Sequence, residues 1–266
     1  MKHTFRNIFI YCISFLGIVF LYRLWVGYRG PLVRVVAFHD VENAEWFESV
    51  IKLLVTTTRV ISPTQFHVRD FKNGVNNVLL TFDDGYESWT RICLPILEKY
   101  DVRAIFFLNT GPLDGVLHDA YVKDTLQLSP KTLLTWDGAR TLVDAGHTIG
   151  GHTTNHPHLT ALKQEEIEGE VRKDKERLSE VLQLPIVDFA YPFGTVRDYS
   201  KGTEELIRKE GYTFVYTAES SFVGELSKHI PRTLFEKNQS LASITLWLKG
   251  GYDVFAGARR LLRTFS

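Results

Sequence analysis

Two neighbouring aspartates and two histidines are the residues of this 266-residue chain best suited to chemistry. Asp83 and Asp84 follow the apolar run of residues 77–82, and His152 and His156 lie four positions apart. Two neutral imidazoles and one carboxylate can bind a divalent cation and leave positions open for water and substrate. One aspartate would therefore be the third ligand. The other, close to the cation but not bound to it, would stay ionised and could act as a base.

Each of these residues also has a simpler structural interpretation. The tripeptide DDG alone would suit a polar turn, and a lone histidine is more often a hydrogen-bonded structural residue than a ligand. The histidine pair beside a carboxylate favours the ligand interpretation. Pro157 disfavours helical geometry at the residue before it, so we expect a turn at His156. We interpret His147 and His158 as structural.

Strands that alternate with helices are predicted to position these residues. The strands are predicted at residues 33–38, 77–82, 102–108, 147–151, 185–191, 212–217 and 228–235. The helices are predicted at 44–54, 91–100, 135–146, 160–182 and 240–251, with Thr160 as an N-cap and 110–134 as a long loop. This alternation predicts parallel βα units, in an open sheet or a barrel.

Polar or turn-forming clusters directly follow four of the predicted strands. They are His39-Asp40, Asp83-Asp84, His152 with His156, and Pro192-Phe193-Gly194. The carboxyl ends of parallel strands lie on one rim, where loops build active sites, so we expect these clusters to meet there. Their shared placement favours an active site over four unrelated polar turns.

The motifs resemble those of the polysaccharide deacetylases, the carbohydrate esterases (family 4) that share the NodB homology domain. TFDDGY at 81–86 is similar to the first family motif, HTTNH at 152–156 to the second, and FAYPFG at 189–194 to the third. The similarity extends from about residue 33 to about residue 250. It implies a distorted (β/α) barrel, usually seven-stranded, for residues 31–266.

The resemblance also implies roles for individual residues. Asp84, His152 and His156 would bind one divalent metal ion, with zinc preferred and nickel, cobalt or iron as alternatives. Asp83 would be the catalytic base, and the backbone amide of Phe193 would help to hold the oxyanion. Three neighbours of Phe193 would complete the segment that contacts substrate: Tyr191, Pro192 and Gly194.

The chain departs from the family pattern in two places. The third motif commonly carries an arginine that orients the base, where this chain has Ala190, and no D-x-x-x-W or leucine-histidine motif follows Gly211. The chain most resembles the poly-N-acetylglucosamine deacetylases, whose motifs are circularly permuted. The FHDV segment at 38–41 then makes His39 the candidate general acid. A structural histidine that closes a strand is the alternative for His39, and His229 is the other candidate for the acid.

Charge and composition limit the class of partner. The 31 basic and 31 acidic side chains give a formal charge of zero with no basic stripe, so no nucleic-acid partner is expected. The 2 cysteines are too few for a disulfide framework. A hydrophobic content of 44% is ordinary for a globular protein with a sizeable core.

Residues 1–30 differ from the rest of the chain. Residues 8–22 are uncharged, and beyond Arg23 the apolar run continues to residue 28. This is about 20 residues, the length that a transmembrane helix needs, so we predict an uncleaved membrane anchor over 8–28. The catalytic domain, 31–266, would then lie outside the cytoplasm in the bacterial cell envelope. A cleaved signal peptide is the alternative, and the protein would then be secreted.

The resemblance implies a metal-dependent hydrolase that removes N-acetyl groups from N-acetylhexosamine units of an extracytoplasmic polysaccharide. Poly-N-acetylglucosamine, peptidoglycan and capsule-like polymers are the candidate substrates. One alternative is a metal hydrolase of another amide or ester on the same fold. Another is a catalytically degenerate, membrane-tethered glycan-binding protein, which the missing arginine and tryptophan motifs suggest. The intact Asp-Asp-His-His set argues against a degenerate site.

Overall fold

The computed structural model describes residues 30–115, 132–223 and 229–250, together with Gly17. The predicted membrane anchor over residues 8–28 therefore lies outside the described part of the chain, apart from that glycine. Among the described residues, no helix has both the length and the apolar character needed to cross a bilayer.

Nine strands among the described residues form one parallel sheet. They are β1 (Leu32–Phe38), β2 (Arg59–Val60), β3 (Asn76–Asp83), β4 (Ile105–Leu108), β5 (Thr148–Gly151), β6 (Asp188–Ala190), β7 (Phe214–Tyr216), β8 (His229–Ile230) and β9 (Arg232–Leu234). Eight of them follow the order β8-β7-β6-β5-β4-β3-β1-β9, and β2 pairs with β3 beside this path. The prediction of a parallel α/β fold is confirmed.

The two ends of the sheet come together at Pro231, which gives a near-barrel. β8 and β9 are the two ends of the strand order, yet Ile230 and Arg232 are separated by one residue. Their Cα atoms are at most about 7 Å apart, so the two ends of the sheet meet. The predicted count of seven strands is wrong for two reasons. Pro231 has no N–H to donate and splits the predicted strand 228–235, and β2 lies where no strand is predicted.

Eight α-helices accompany the strands in the described part of the chain, and the last of them follows β9. They are α1 (Ala44–Thr57), α2 (Pro63–His67), α3 (Leu94–Lys99), α4 (Thr110–Leu113), α5 (Trp136–Asp144), α6 (Gln164–Leu182), α7 (Lys201–Lys209) and α8 (Leu241–Leu248). A π-helical turn, Trp89–Cys93, leads into α3, and a 3-10 turn, Leu159–Ala161, precedes α6.

The predicted start of α6 is wrong. Thr160 lies in the 3-10 turn, where its hydroxyl donates to the carbonyl oxygen of Arg197 at 3.1 Å. The helix begins at Gln164 instead, and the Glu166 carboxylate accepts a hydrogen bond from the Lys163 amide at 2.8 Å. Glu166 therefore satisfies one of the amides that a helix start leaves without an intrahelical partner.

Alternation along β3 explains how the strand delivers a carboxylate into the barrel. Val78, Leu80 and Phe82 pack in the large core cluster that also contains residues of the surrounding helices. Leu79 belongs to a smaller cluster drawn mainly from the strands, inside the barrel. Side chains of a strand alternate between its two faces, so Asp83 shares the inner face with Leu79. The strand thus ends with a carboxylate directed into the barrel mouth.

Candidate active site

A cavity of about 510 Å³ opens at the carboxyl ends of the strands. Residues from all four predicted clusters line it: His39, Asp40, Asp83, Asp84, His152, His156 and Phe193. The prediction that these strand ends share one rim is therefore confirmed. His152 and His156 lie in the turn after β5 and not in a helix, which also agrees with the effect expected of Pro157.

Asp84, His152 and His156 form a compact, buried donor set. The Asp84 Oδ1 atom is 3.4 Å from Nε2 of His152 and 3.4 Å from Nε2 of His156. One ligand atom from each residue lies within 4.8 Å of the others. Asp84 Oδ1 is buried and forms no hydrogen bond to any described residue. Two imidazoles and one carboxylate are a common catalytic zinc set, so these residues fit a divalent cation.

His152 is held with its Nε2 atom towards Asp84. Its Nδ1 atom is 2.7 Å from the carbonyl oxygen of Ala190, so the ring donates there and keeps the Nε2 lone pair available. The backbone amide of His152 donates to the buried carboxylate of Asp174 at 3.1 Å. The amide of Thr110 donates to the same carboxylate at 3.0 Å. Helix α6 thereby fixes the loop that carries the predicted ligands.

The protonation of these groups depends on burial and on their neighbours. Burial lowers the pKa of His156 to about 4, so this ring is neutral near pH 7. Burial would also lower the pKa of His152, but Asp84 and Asp83 outweigh it and raise that pKa. Burial would raise the pKa of Asp84, yet His39 and the two histidines of the donor set hold it well below its usual range. A cation would compete with the proton on His152.

Residues with left-handed backbone conformation are concentrated around this donor set. The φ angle is 85° at Asp84, 68° at Thr153, 52° at His156 and 59° at Phe193. Non-glycine residues rarely adopt such angles, and they cluster at sites where the surrounding structure enforces them. Gly85 follows with a φ of 75°, which turns the chain away after the paired aspartates.

The Asp83 carboxylate forms a buried bidentate ion pair with Arg232. Nη1 and Nη2 of the arginine lie 2.6 and 2.8 Å from the two carboxylate oxygens. The guanidinium also donates to the Thr81 hydroxyl at 3.2 Å and to the Thr217 carbonyl at 3.1 Å. Burial would raise the pKa of Asp83, but the charge of Arg232 and the neighbouring histidines outweigh it, and the pKa is lowered. Asp83 is therefore ionised and fixed in orientation.

Arg232 is a functional candidate that the sequence motifs do not predict. Ala190 leaves the third motif without its usual arginine, and Arg232 orients Asp83 from a different strand. The arginine comes from β9, where the parallel register places Arg232 beside Val35 of the inner face. One sequence signal points to it: an arginine at 232 within the apolar run IPRTLF is buried only if a partner neutralises it.

His39, in the loop after β1, faces Asp84. Its Nε2 atom is 3.7 Å from Asp84 Oδ2, and 41% of its side chain is exposed. The Trp89 indole donates to the His39 carbonyl at 2.9 Å, which fixes the loop after β1. His229, the other candidate acid, does not line the cavity, and its Nε2 atom is 3.0 Å from Glu204.

The third-motif residues divide between the cavity wall and the turn behind it. Tyr191 and Phe193 line the cavity, whereas Pro192 and Gly194 do not. The Gly194 carbonyl accepts a hydrogen bond from the Ala218 amide at 2.7 Å. A Cβ atom at position 194 would lie 2.7 Å from that amide nitrogen, so the turn requires glycine.

Comparison with known proteins gives a family for the chain. Residues 72–215, more than half of the sequence, match the profile of the polysaccharide deacetylase family. The chain is 32% identical over 105 residues to the peptidoglycan-N-acetylmuramic acid deacetylase PdaA of Bacillus subtilis, covering 39% of this chain and 33% of that protein. It is 33% identical over 103 residues to a chitooligosaccharide deacetylase of Rhizobium leguminosarum, covering 38% and 39%. The chain spans about half or less of the length of the curated relatives that it matches.

Solved structures agree on the fold. IcaB from Ammonifex degensii superposes with a TM-score of 0.67 at 21% identity, over 83% of this chain and 98% of that one. The Streptococcus pyogenes deacetylase PplD, in complex with acetate, gives a TM-score of 0.65 at 19% identity, over 82% and 97%. Because the sequence identities are this low, the superpositions show only that the fold is shared. The profile match over residues 72–215 shows that the chain belongs to the polysaccharide deacetylase family.

Proposed function

We propose that this protein is a metal-dependent hydrolase that removes N-acetyl groups from N-acetylhexosamine units of a polysaccharide. One observation carries the proposal: the buried Asp84-His152-His156 donor set lies in the same cavity as Asp83, whose carboxylate is oriented by Arg232. Relatives that are named as peptidoglycan and chitooligosaccharide deacetylases support an acetamide as the bond that is cleaved.

Asp84, His152 and His156 would hold one divalent ion, zinc by preference, with nickel, cobalt or iron as alternatives. When bound, such an ion supplies a Lewis acid that polarises a carbonyl group and makes water a better nucleophile. The donor set leaves coordination positions for substrate and water, because it provides only three protein ligands.

The residues around the donor set would move the protons. Asp83 would accept the proton of the attacking water, since Arg232 keeps its carboxylate ionised and each oxygen retains a further acceptor position. The backbone N–H of Phe193 would stabilise the developing oxyanion. His39, when protonated, would donate to the departing amine. The products would be acetate and a glucosamine-type unit with a free amine.

The place of action is a further part of the proposal. The catalytic domain, residues 31–266, would work outside the cytoplasm, tethered to the membrane by residues 8–28, or be secreted if residues 1–30 are cleaved. The uncharged run of residues 8–22 supports this.

Acetate release from a panel of acetylated polymers tests the proposal. The full-length protein, loaded with defined divalent metals, is incubated with poly-N-acetylglucosamine, chitooligosaccharides, peptidoglycan and an O-acetylated polysaccharide. We expect metal-dependent acetate release from at least one N-acetylated polymer. Release from the O-acetylated polymer alone would assign an esterase instead. Binding of a metal without acetate release from any of them would contradict a hydrolase function.

A further inference from the structure

The ring of Phe193 is stacked on a histidine at the mouth of the cavity. The rings of Phe193 and His158 are nearly parallel, at 5°, and their centroids are 3.7 Å apart. The edge of the Phe193 ring also meets the ring of His156, with centroids at 4.7 Å. Phe193 is nevertheless 39% exposed, and it lines the cavity. One face of the ring is thus covered by His158, whose side chain is itself 57% exposed, and the ring remains accessible to a molecule in the cavity.

A buried carboxylate holds the stacking histidine in place. The Nδ1 atom of His158 is 3.2 Å from Oδ1 of Asp198, which is only 7% exposed. The second oxygen of Asp198 accepts hydrogen bonds from the amide of Thr195 at 2.9 Å and from its hydroxyl at 2.6 Å. Asp198 therefore joins the loop after β6, which carries Phe193, to the loop after β5, which carries His156.

We propose that His158 and Asp198 are positioning residues that fix the Phe193 ring as an apolar wall for the sugar ring of the substrate. Pockets for small molecules combine such apolar walls with a few polar groups that set orientation. A ring that is already fixed loses little conformational entropy when the ligand binds. Because the same ring touches His156, the wall also aligns the sugar with the donor set. This inference rests on the proposed function.

Steady-state kinetics of His158 variants test the positioning role. We expect His158→Ala to raise KM for chitopentaose about 3- to 10-fold, which corresponds to the free energy of one aromatic pair. The kcat value should stay within about twofold of wild type, and the metal content should not change. His158→Phe keeps the stacked ring and should restore most of the lost KM. Thr160→Val is the matched control, since it removes another hydrogen bond between the two loops but not the stack. It should leave KM unchanged.

Binding separates this inference from the proposed function. Calorimetric titration of chitopentaose into metal-loaded Asp83→Asn protein, with and without His158→Ala, measures affinity without turnover. A matching loss of affinity supports the wall. Unchanged KM and affinity in His158→Ala, or equal losses in His158→Ala and Thr160→Val, would overturn it. A wild type that releases acetate from no polymer of the panel would refute the proposed function, whereas the comparison of chitopentaose affinities would still decide the role of His158.

Discussion

Two adjacent aspartates take different positions because the backbone turns between them. Asp83 ends β3 on the inner face of the barrel and pairs with Arg232, whereas Asp84, with a φ of 85°, turns towards the histidines. A cation site can be predicted from the sequence, because two imidazoles beside a carboxylate are typical of one. The partner of Asp83 cannot be predicted in this way, because no residue in or near β9 indicates which strand β9 pairs with.

Arg232→Lys should separate charge from geometry in the support of Asp83. Lysine keeps the positive charge but cannot form the two parallel hydrogen bonds of a guanidinium, so we expect kcat to fall about 10- to 100-fold with metal content retained. Arg59→Lys is the control, because it alters an arginine-carboxylate pair, Arg59 with Asp70, away from the cavity. Wild-type kcat in Arg232→Lys would show that the bidentate pair does not matter for turnover.

The position of His39 beside Asp84 predicts that it acts as the general acid. His39→Ala should lower kcat by about 10²- to 10⁴-fold, the usual contribution of a general acid, with little change in metal content. His229→Ala should keep near-wild-type kcat, because His229 pairs with Glu204 and does not line the cavity. The reverse result, activity lost with His229 and kept without His39, would place the acid on the C-terminal side and refute the permuted arrangement.

At the scale of elements, the sequence predicts where strands end better than it predicts how many strands there are. The predicted strands at 33–38, 77–82, 147–151 and 185–191 correspond to β1, β3, β5 and β6, and the polar residues after them share one rim. The pairing of β2, only two residues long, is decided by its neighbour β3 and leaves no pattern in the sequence. Pro231 could have been read as a break, since proline interrupts a ladder, but the flanking apolar residues suggested one continuous strand.

His147, just before β5, gives the molecule a measurable dependence on pH. Its Nδ1 atom accepts a hydrogen bond from the Ala104 amide at 3.1 Å, and burial lowers its pKa from 6.5 to about 4. Between these values the unfolded chain binds a proton that the folded chain does not. Stability should therefore fall as pH drops from about 6.5 towards 4, by up to about 3 kcal/mol for this residue.

His147→Asn isolates that contribution, because an asparagine oxygen can take the place of Nδ1 as acceptor for the Ala104 amide. Urea unfolding at about pH 8 and pH 5 should show a smaller loss of stability in the variant than in the wild type. The comparison of the two proteins removes the effect of the other histidines. An identical pH dependence in both would mean that His147 is protonated in the folded protein.

At the scale of the whole molecule, the order of the strands in the sheet assembles the site. β9 pairs with β1, which pairs with β3, so Arg232 reaches Asp83 across 149 residues of sequence. The order of strands around a barrel cannot be derived from the spacing of apolar residues. For this reason the residues at the strand ends can be predicted from the sequence, whereas the inner-face pair of Asp83 and Arg232 cannot.

Membrane attachment is also a property of the whole chain. If residues 8–28 form an uncleaved anchor, the full-length protein should stay with membranes after a carbonate wash, and its N-terminus should be Met1 or Lys2. The physical reason is that about 20 apolar residues are long enough to span the hydrocarbon core. A soluble mature form that begins near residue 30 would favour the cleaved signal peptide.

Titration of metal-free protein with zinc, while acetate release is recorded, tests the central claim most directly. Because Asp84, His152 and His156 provide one donor set, the rate should rise in proportion to added zinc and level off at one equivalent. Asp83→Asn should bind the same single equivalent and release almost no acetate, since it keeps the ligands and loses the base. Full activity without metal, or activity that levels off only at two equivalents, would contradict the account.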